Sequence, residues 1–162
     1  IERIDEALRD PLIIAGANLL FALPLWLCDR CARQDHALRN MSLKSALIIG
    51  LSQCLALIPG TSRSGITMTA ARMLGFNRSD AARFGMLLAI PTILAALMLA
   101  VIDMRHTSDA PDIQILALAF SGAFVFAMMA ISALMKLVSK TGFLPFAIYR
   151  ILLGLFLFWH FS

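Results

Sequence analysis

Four long apolar stretches constrain this chain more than any other feature. They run over residues 11–28, 84–102, 113–135 and 143–161, each about 18 to 23 residues long. At 1.5 Å per residue, a helix of that length crosses a hydrocarbon layer about 30 Å thick. The stretch at 113–135 carries no charge, and its Ala117, Ala119, Ser121, Gly122 and Ala123 suit close helix packing. Pro24 and Pro91 mark expected kinks, which membrane helices tolerate. The chain is 60% hydrophobic and 15% charged over 162 residues. An ordinary soluble domain is nearer half apolar and a quarter charged. The predicted fold class is an all-α polytopic membrane protein, with residues 1–162 forming a single membrane domain.

The net charge is +4, but its placement matters more. Most of the Lys and Arg lie in short loops at 29–44, 72–83 and 136–140, with no basic block and no interleaved aromatics. Nucleic acid is therefore not an expected partner. Segments 1–10 and 103–112 are net acidic. Between the first two basic loops lies an apolar run at 45–58, about 14 residues or roughly 21 Å, too short to span. Pro59-Gly60 stops it, and residues 65–74 read as a second short helix. Gly75-Phe76-Asn77 reads as that helix's cap and turn, and Ser79 as the N-cap of the next. If both short helices go part-way in and return, every basic loop falls on one side and both acidic segments on the other. The positive-inside tendency makes the basic side cytoplasmic. The expectation is four spans plus a re-entrant hairpin at about 45–75, with its tip at 59–65.

That tip reads Pro59-Gly60-Thr61-Ser62-Arg63-Ser64-Gly65. A permanent cation near mid-membrane costs a few kcal/mol or more and marks a functional site by default. Thr61, Ser62 and Ser64 add hydroxyls. Gly60 and Gly65 allow close backbone approach. A helix starting near Gly65 aims free N–H groups at the same point. Guanidinium, hydroxyls and a helix N-terminus together suit a phosphate. The plainer reading makes Arg63 an ion-pair partner and the hydroxyls mere caps. Against it, no Asp or Glu occurs between His36 and Ser79, or after Asp112.

Weaker candidates surround the tip. Thr67 lies one turn into the second helix, where its hydroxyl either reaches the site or bonds back to its own helix. Gln53 either faces the tip or makes an interhelical hydrogen bond. Arg150, beside Tyr149 in the last span, either supports the site or snorkels to the interface, the commoner fate. Cys28 and Cys31 have CxxC spacing, but no second pair accompanies them, and chance spacing is the default. His36, His106 and His160 fall in loops or at a span end. The methionines read as packing. No metal-ligand set appears in this chain. The chain begins at Ile1 without a signal-peptide pattern, which suggests a fragment or a processed chain.

Pro59, Gly60, Ser62, Arg63, Ser64 and Thr67 match a motif Pro-Gly-x-Ser-Arg-Ser-x-x-Thr. Through it the chain resembles the undecaprenyl-pyrophosphate phosphatase family, also called bacitracin-resistance proteins. Residues 50–58 and the segment Phe143-Leu144-Pro145-Phe146-Ala147-Ile148-Tyr149-Arg150 carry the resemblance further, from about Ser42 to the end. It implies an inverted-repeat fold of which this chain is the C-terminal portion, with one re-entrant hairpin per half. The implied activity removes the terminal phosphate of a C55 polyprenyl pyrophosphate, recycling the cell-wall lipid carrier and giving bacitracin resistance. The implied location is the bacterial inner membrane, with the site open to the periplasm. On this resemblance Arg63 and Ser62 are the catalytic candidates. Gly60, Thr61, Ser64, Gly65 and Thr67 would bind phosphate, with Gln53, Tyr149 and Arg150 in support. The family's acidic residues, its Ser-rich loop with the proposed nucleophile and its His are absent from these 162 residues. A divalent cation, Mg²⁺ or Ca²⁺, is implied, with ligands in the other half. That half and a homodimer mate are the implied protein partners. The rival reading is a polyprenyl-phosphate transporter or flippase, since broken helices meeting at mid-membrane are transporter hardware.

Overall fold

The computed structural model describes residues 10–32, 35–104 and 113–161. The acidic segment before Asp10, Arg33 and the loop with Arg105, His106, Asp109 and Asp112 lie outside the described residues. The protein is all-α. Its helices are α1 (Pro11–Cys31), α2 (Leu43–Ser52), α3 (Arg63–Met73), α4 (Arg78–Met104), α5 (Ile113–Thr141) and α6 (Leu144–Phe161). Four of them, α1, α4, α5 and α6, are long and apolar enough to cross a membrane. This is the architecture of a polytopic membrane protein.

Local chemistry sets the helix ends. Asp10 caps α1, its carboxylate accepting from the Leu12 amide at 2.8 Å, with Pro11 in the first turn. α1 continues past Pro24 and past Cys28 to Cys31, further than its apolar run. Asp29 is consequently a buried helical residue rather than the start of a loop. α3 closes with a Schellman arrangement: Phe76 N–H donates to Ala71 O and Gly75 N–H to Arg72 O, with Gly75 at φ +85°. The N-cap of α4 is Asn77, not Ser79. Asn77 Oδ1 accepts from the Asp80 amide at 2.9 Å, and its amide group donates back to Asp80 Oδ2 at 2.8 Å. Asp80 reaching back decides between two adjacent residues of equal capping ability.

α2 and α3 form a helical hairpin whose two ends meet. His36 N–H donates to Gly75 O and Asn77 N–H to His36 O, a short parallel bridge between His36 and Phe76. Leu38 N–H donates to Asp80 Oδ2 at 2.9 Å. The two ends of the hairpin therefore lie together at one end of the molecule. The turn between α5 and α6 arrives at that same end, where Phe143 N–H donates to Asp29 Oδ2. The three basic loops thus share one end.

α1 and α6 run antiparallel and make the most extensive helix pair. Their seam is built from small residues. Ala15 and Ala22 are fully buried, and a Cβ on Gly154 would sit 2.8 Å from Leu19 Cγ. The core continues between α3, α4 and the hairpin root through Met68, Ala71, Phe76, Ala81 and Phe143. α5 is the opposite case. It touches mainly α4, and its Phe120 and Phe126 are 72% exposed. A Cβ on Gly122 would meet nothing within 4 Å. Such a surface fits lipid or another protein segment, not water.

Candidate functional site

The tip of the hairpin is built by a turn that its sequence dictates. α2 tightens into a 3-10 segment, Gln53–Leu57, and ends before Pro59. Thr61 N–H then donates to Ile58 O at 3.2 Å across Pro59 and Gly60. Gly60 has φ +89°, as a turn with Pro second and Gly third requires. A Cβ there would also stand 2.6 Å from Ile14 O, so only glycine lets the tip rest on α1. Ser62 follows at φ +65°, a left-handed conformation that a non-glycine residue adopts at a cost of roughly 1–3 kcal/mol. That geometry turns Ser62 into the N-cap of α3, its hydroxyl accepting from the Gly65 amide at 3.2 Å. α3 consequently begins at Arg63, two residues before the expected start near Gly65. The Arg63 and Ser64 amides are left without intrahelical acceptors.

Arg150 reaches this turn from α6, 90 residues away in sequence. Its Nη2 donates to Gly60 O at 2.7 Å. Nη1 lies where a Cβ on Gly65 would be only 2.7 Å away, so the guanidinium sits over the first turn of α3. Arg150 is 6% exposed, and its Nε and Nη1 have no hydrogen-bond partner. It does not snorkel. The sequence allowed this placement without selecting it, because nothing local says that α6 passes the tip. The cavity beside it measures about 200 Å³. Its polar lining is Ser62, Ser64, Gly65, Asn18, Tyr149 and Arg150, and its apolar lining includes Leu25, Met68, Leu134 and Phe146. Asn18, on α1, is a lining residue that sequence reasoning missed. It is 6% exposed and its Nδ2 donates to Ile14 O at 3.0 Å. A buried amide inside an otherwise apolar span was the signal available.

The remaining expected residues divide. Arg63 is half-buried at the head of α3, and among the described residues its guanidinium forms no hydrogen bond or ion pair. It does not line the cavity. Thr61 is fully buried, its hydroxyl without a partner, and also stands outside the cavity lining. Thr67 bonds back to its own helix, donating to Arg63 O and Ser64 O at 3.1 Å, and packs against Gly85 of α4. Gln53 makes the interhelical bond, its Nε2 donating to Thr92 Oγ1 at 3.0 Å. Tyr149 is 63% exposed and lines the cavity. The donors around the cavity are hydroxyls, an amide and a cation. Among the described residues no carboxylate or imidazole faces it, so this lining does not fit a divalent metal ion. Among the described residues no three His, Cys, Asp or Glu side chains gather to hold one.

The far end of the hairpin is also polar. Asp29 accepts from Arg78 Nε at 2.6 Å and from the Phe143 amide at 3.1 Å, with Arg72 Nε 3.9 Å away. Arg72, fully buried, donates to the carbonyls of Phe76, Cys28, Asp29 and Ala32. This cluster ties α1, the hairpin root, α4 and α6 together.

The fold and the tip define a multi-pass membrane protein carrying a helical hairpin with a polar tip. A family model described as "Bacitracin resistance protein BacA" matches residues 1–156, and the chain belongs to that family. It is 52% identical over 153 residues to a protein of Maricaulis maris named undecaprenyl-diphosphatase, covering 93% of this chain and 57% of that one. Proteins of the same name from Alteromonas mediterranea and Ruegeria pomeroyi are 46% and 48% identical, with 96% and 95% of this chain covered. The chain spans 57–59% of the length of these three curated relatives.

Proposed function

We propose that this chain supplies the phosphate cradle of an undecaprenyl-pyrophosphate phosphatase, in a hairpin that re-enters the bacterial inner membrane. One observation carries the reading. A buried guanidinium, Arg150, holds the turn carbonyl at Gly60 and keeps two nitrogens unpaired beside the Ser62 and Ser64 hydroxyls. A buried cation with open donors costs stability unless an anion completes it. The terminal phosphate of a lipid pyrophosphate does so. Its oxygens take the open Arg150 donors, the free amides of the first turn of α3 and the two hydroxyls. Arg63, without a partner among the described residues, closes on the same group from the head of α3 and offsets charge during phosphoryl transfer. The apolar half of the cavity, toward Leu134 and Phe146, leads to the prenyl chain.

Hydrolysis adds water across the phosphoanhydride, releasing phosphate and leaving the lipid monophosphate. The lining offers no carboxylate or imidazole base. In this proposal the nucleophile, the proton-transfer groups and any Mg²⁺ or Ca²⁺ ligands come from the part of the complete protein outside these 162 residues. That part is the main partner of this chain, and the exposed face of α5 is available to it or to a second copy. The site opens to the periplasmic side, opposite the basic end.

The test is phosphate release from a C55 polyprenyl pyrophosphate by the complete protein, with and without Arg150→Ala and Arg63→Ala. Loss of turnover with retained folding is expected for both. Wild-type turnover in both variants overturns the cradle. Absence of phosphate release by the intact protein, with lipid phosphate crossing vesicles instead, replaces the phosphatase with a transporter.

A further inference from the structure

A second pocket, about 490 Å³, opens at the basic end and is lined by none of the tip residues. It lies between the last turns of α1, the start of α4 and the turn from α5 to α6. Trp26, Asp29, Arg30, Arg78, Thr141 and Leu144 line it. We infer that this pocket binds the phosphodiester headgroup of an anionic phospholipid from the basic-side leaflet. The inference goes beyond the phosphatase reading and uses none of its residues.

Three features carry it. The first is charge. Arg30 and Arg78 face one carboxylate, Asp29, which the Arg78 Nε and the Phe143 amide already occupy. The lining keeps a net positive charge, the complement of one phosphodiester. The second is preorganisation. Asp29 grips Arg78 through Nε and Nη2, so the remaining edge of that guanidinium has a set direction, and the side chain is 36% exposed. Arg30 stacks over the Trp26 ring at 5.6 Å. Neither cation must be ordered on binding. The third is the surface beneath. Leu23 and Leu27 share the α1 face of Trp26 and Arg30, and Ile148 follows Leu144 one turn along α6. All four leucine and isoleucine side chains are exposed. They make two apolar rails leading away from the pocket, as two acyl chains require. Basic pockets between helices at the headgroup level, next to an interfacial tryptophan, are where anionic lipids dock.

The experiment places the complete protein in nanodiscs of phosphatidylcholine containing a photoactivatable phosphatidylglycerol, and maps the adducts by peptide mass spectrometry. Adducts are expected at residues 26–30 and 141–148, and free inorganic phosphate should not displace them. Arg30→Gln, at an exposed position, should lower labelling roughly fivefold, the worth of one basic residue at an anionic surface, without changing phosphate release. Equal labelling by a photoactivatable phosphatidylcholine overturns the inference, as does undiminished labelling of Arg30→Gln. Competition by inorganic phosphate reassigns the pocket to a free anion and overturns the lipid.

Discussion

Arg72 and Arg150 are both buried, and both hold backbone carbonyls around the same hairpin. They are supplied very differently. Arg72, at the root, donates to four carbonyl oxygens and lies beside Asp29. Arg150, at the tip, donates to one carbonyl and, among the described residues, has no carboxylate near it and leaves Nε and Nη1 open. A buried charge surrounded by acceptors serves the fold. A buried charge left short of acceptors is unfavourable for the fold alone and is accounted for by what binds there. The root is where the hairpin is fastened, and the tip is where it is incomplete.

Substitutions can break that contrast. Arg150→Ala in the complete protein should lower turnover about 10²- to 10³-fold, as removing one preorganised donor does, while thermal unfolding in detergent moves little or upward. Arg150→Lys should recover only part of it, because an ammonium lacks the planar fork. Arg72→Met should do the reverse. It takes the donor from four carbonyls while Asp29 keeps Arg78 and the Phe143 amide, so unfolding should cost about 1–3 kcal/mol less, with turnover per folded molecule nearly unchanged. If Arg72→Met abolished turnover while leaving stability intact, root and tip would not divide as argued. Gly65→Ala sharpens the comparison inside the tip. Its Cβ would meet Arg150 Nη1 at 2.7 Å, a mobile group, so folding should survive while turnover drops more than tenfold. The smallest effects are expected at Gln53→Ala and Asn77→Ala. Each removes one hydrogen bond or cap and should cost about 1 kcal/mol, read as a lowered melting temperature.

The sequence announced the periodic and the local parts of this molecule. Long apolar runs mark the four spans, and the shortness of the run at 45–58 marks a helix that stops at Pro59. Pro59, Gly60 and Ser62 encode the turn and the cap through their own backbone preferences. What escaped was long-range. Asp29 reads as a loop charge until Arg78 and the Phe143 amide, 49 and 114 residues on, arrive to hold it. Arg150 reads as a snorkelling cation because only the α1–α6 crossing brings it to Gly60. Cys28 and Cys31 are free thiols on the last turns of α1, the first half-buried and the second exposed.

The bond from Phe143 N–H to Asp29 has a bearing on how the chain is made. α1 leaves the ribosome long before the residue that completes its buried carboxylate is synthesised. The hairpin ends, by contrast, are stitched by partners only 38 to 42 residues apart, between His36 and Leu74 and between Leu38 and Asp80. The short helices are therefore able to close on themselves first, as one unit slipping in beside α4, while α1 waits with Asn18 and Asp29 facing an empty groove. Arrival of α6 fills that groove from both ends at once, setting Gly154 against Ala15 and Phe143 against Asp29. The same arrival carries Arg150 to the tip. A nascent chain stalled before α6 therefore has the turn at Gly60 but not the Arg150 guanidinium that holds it.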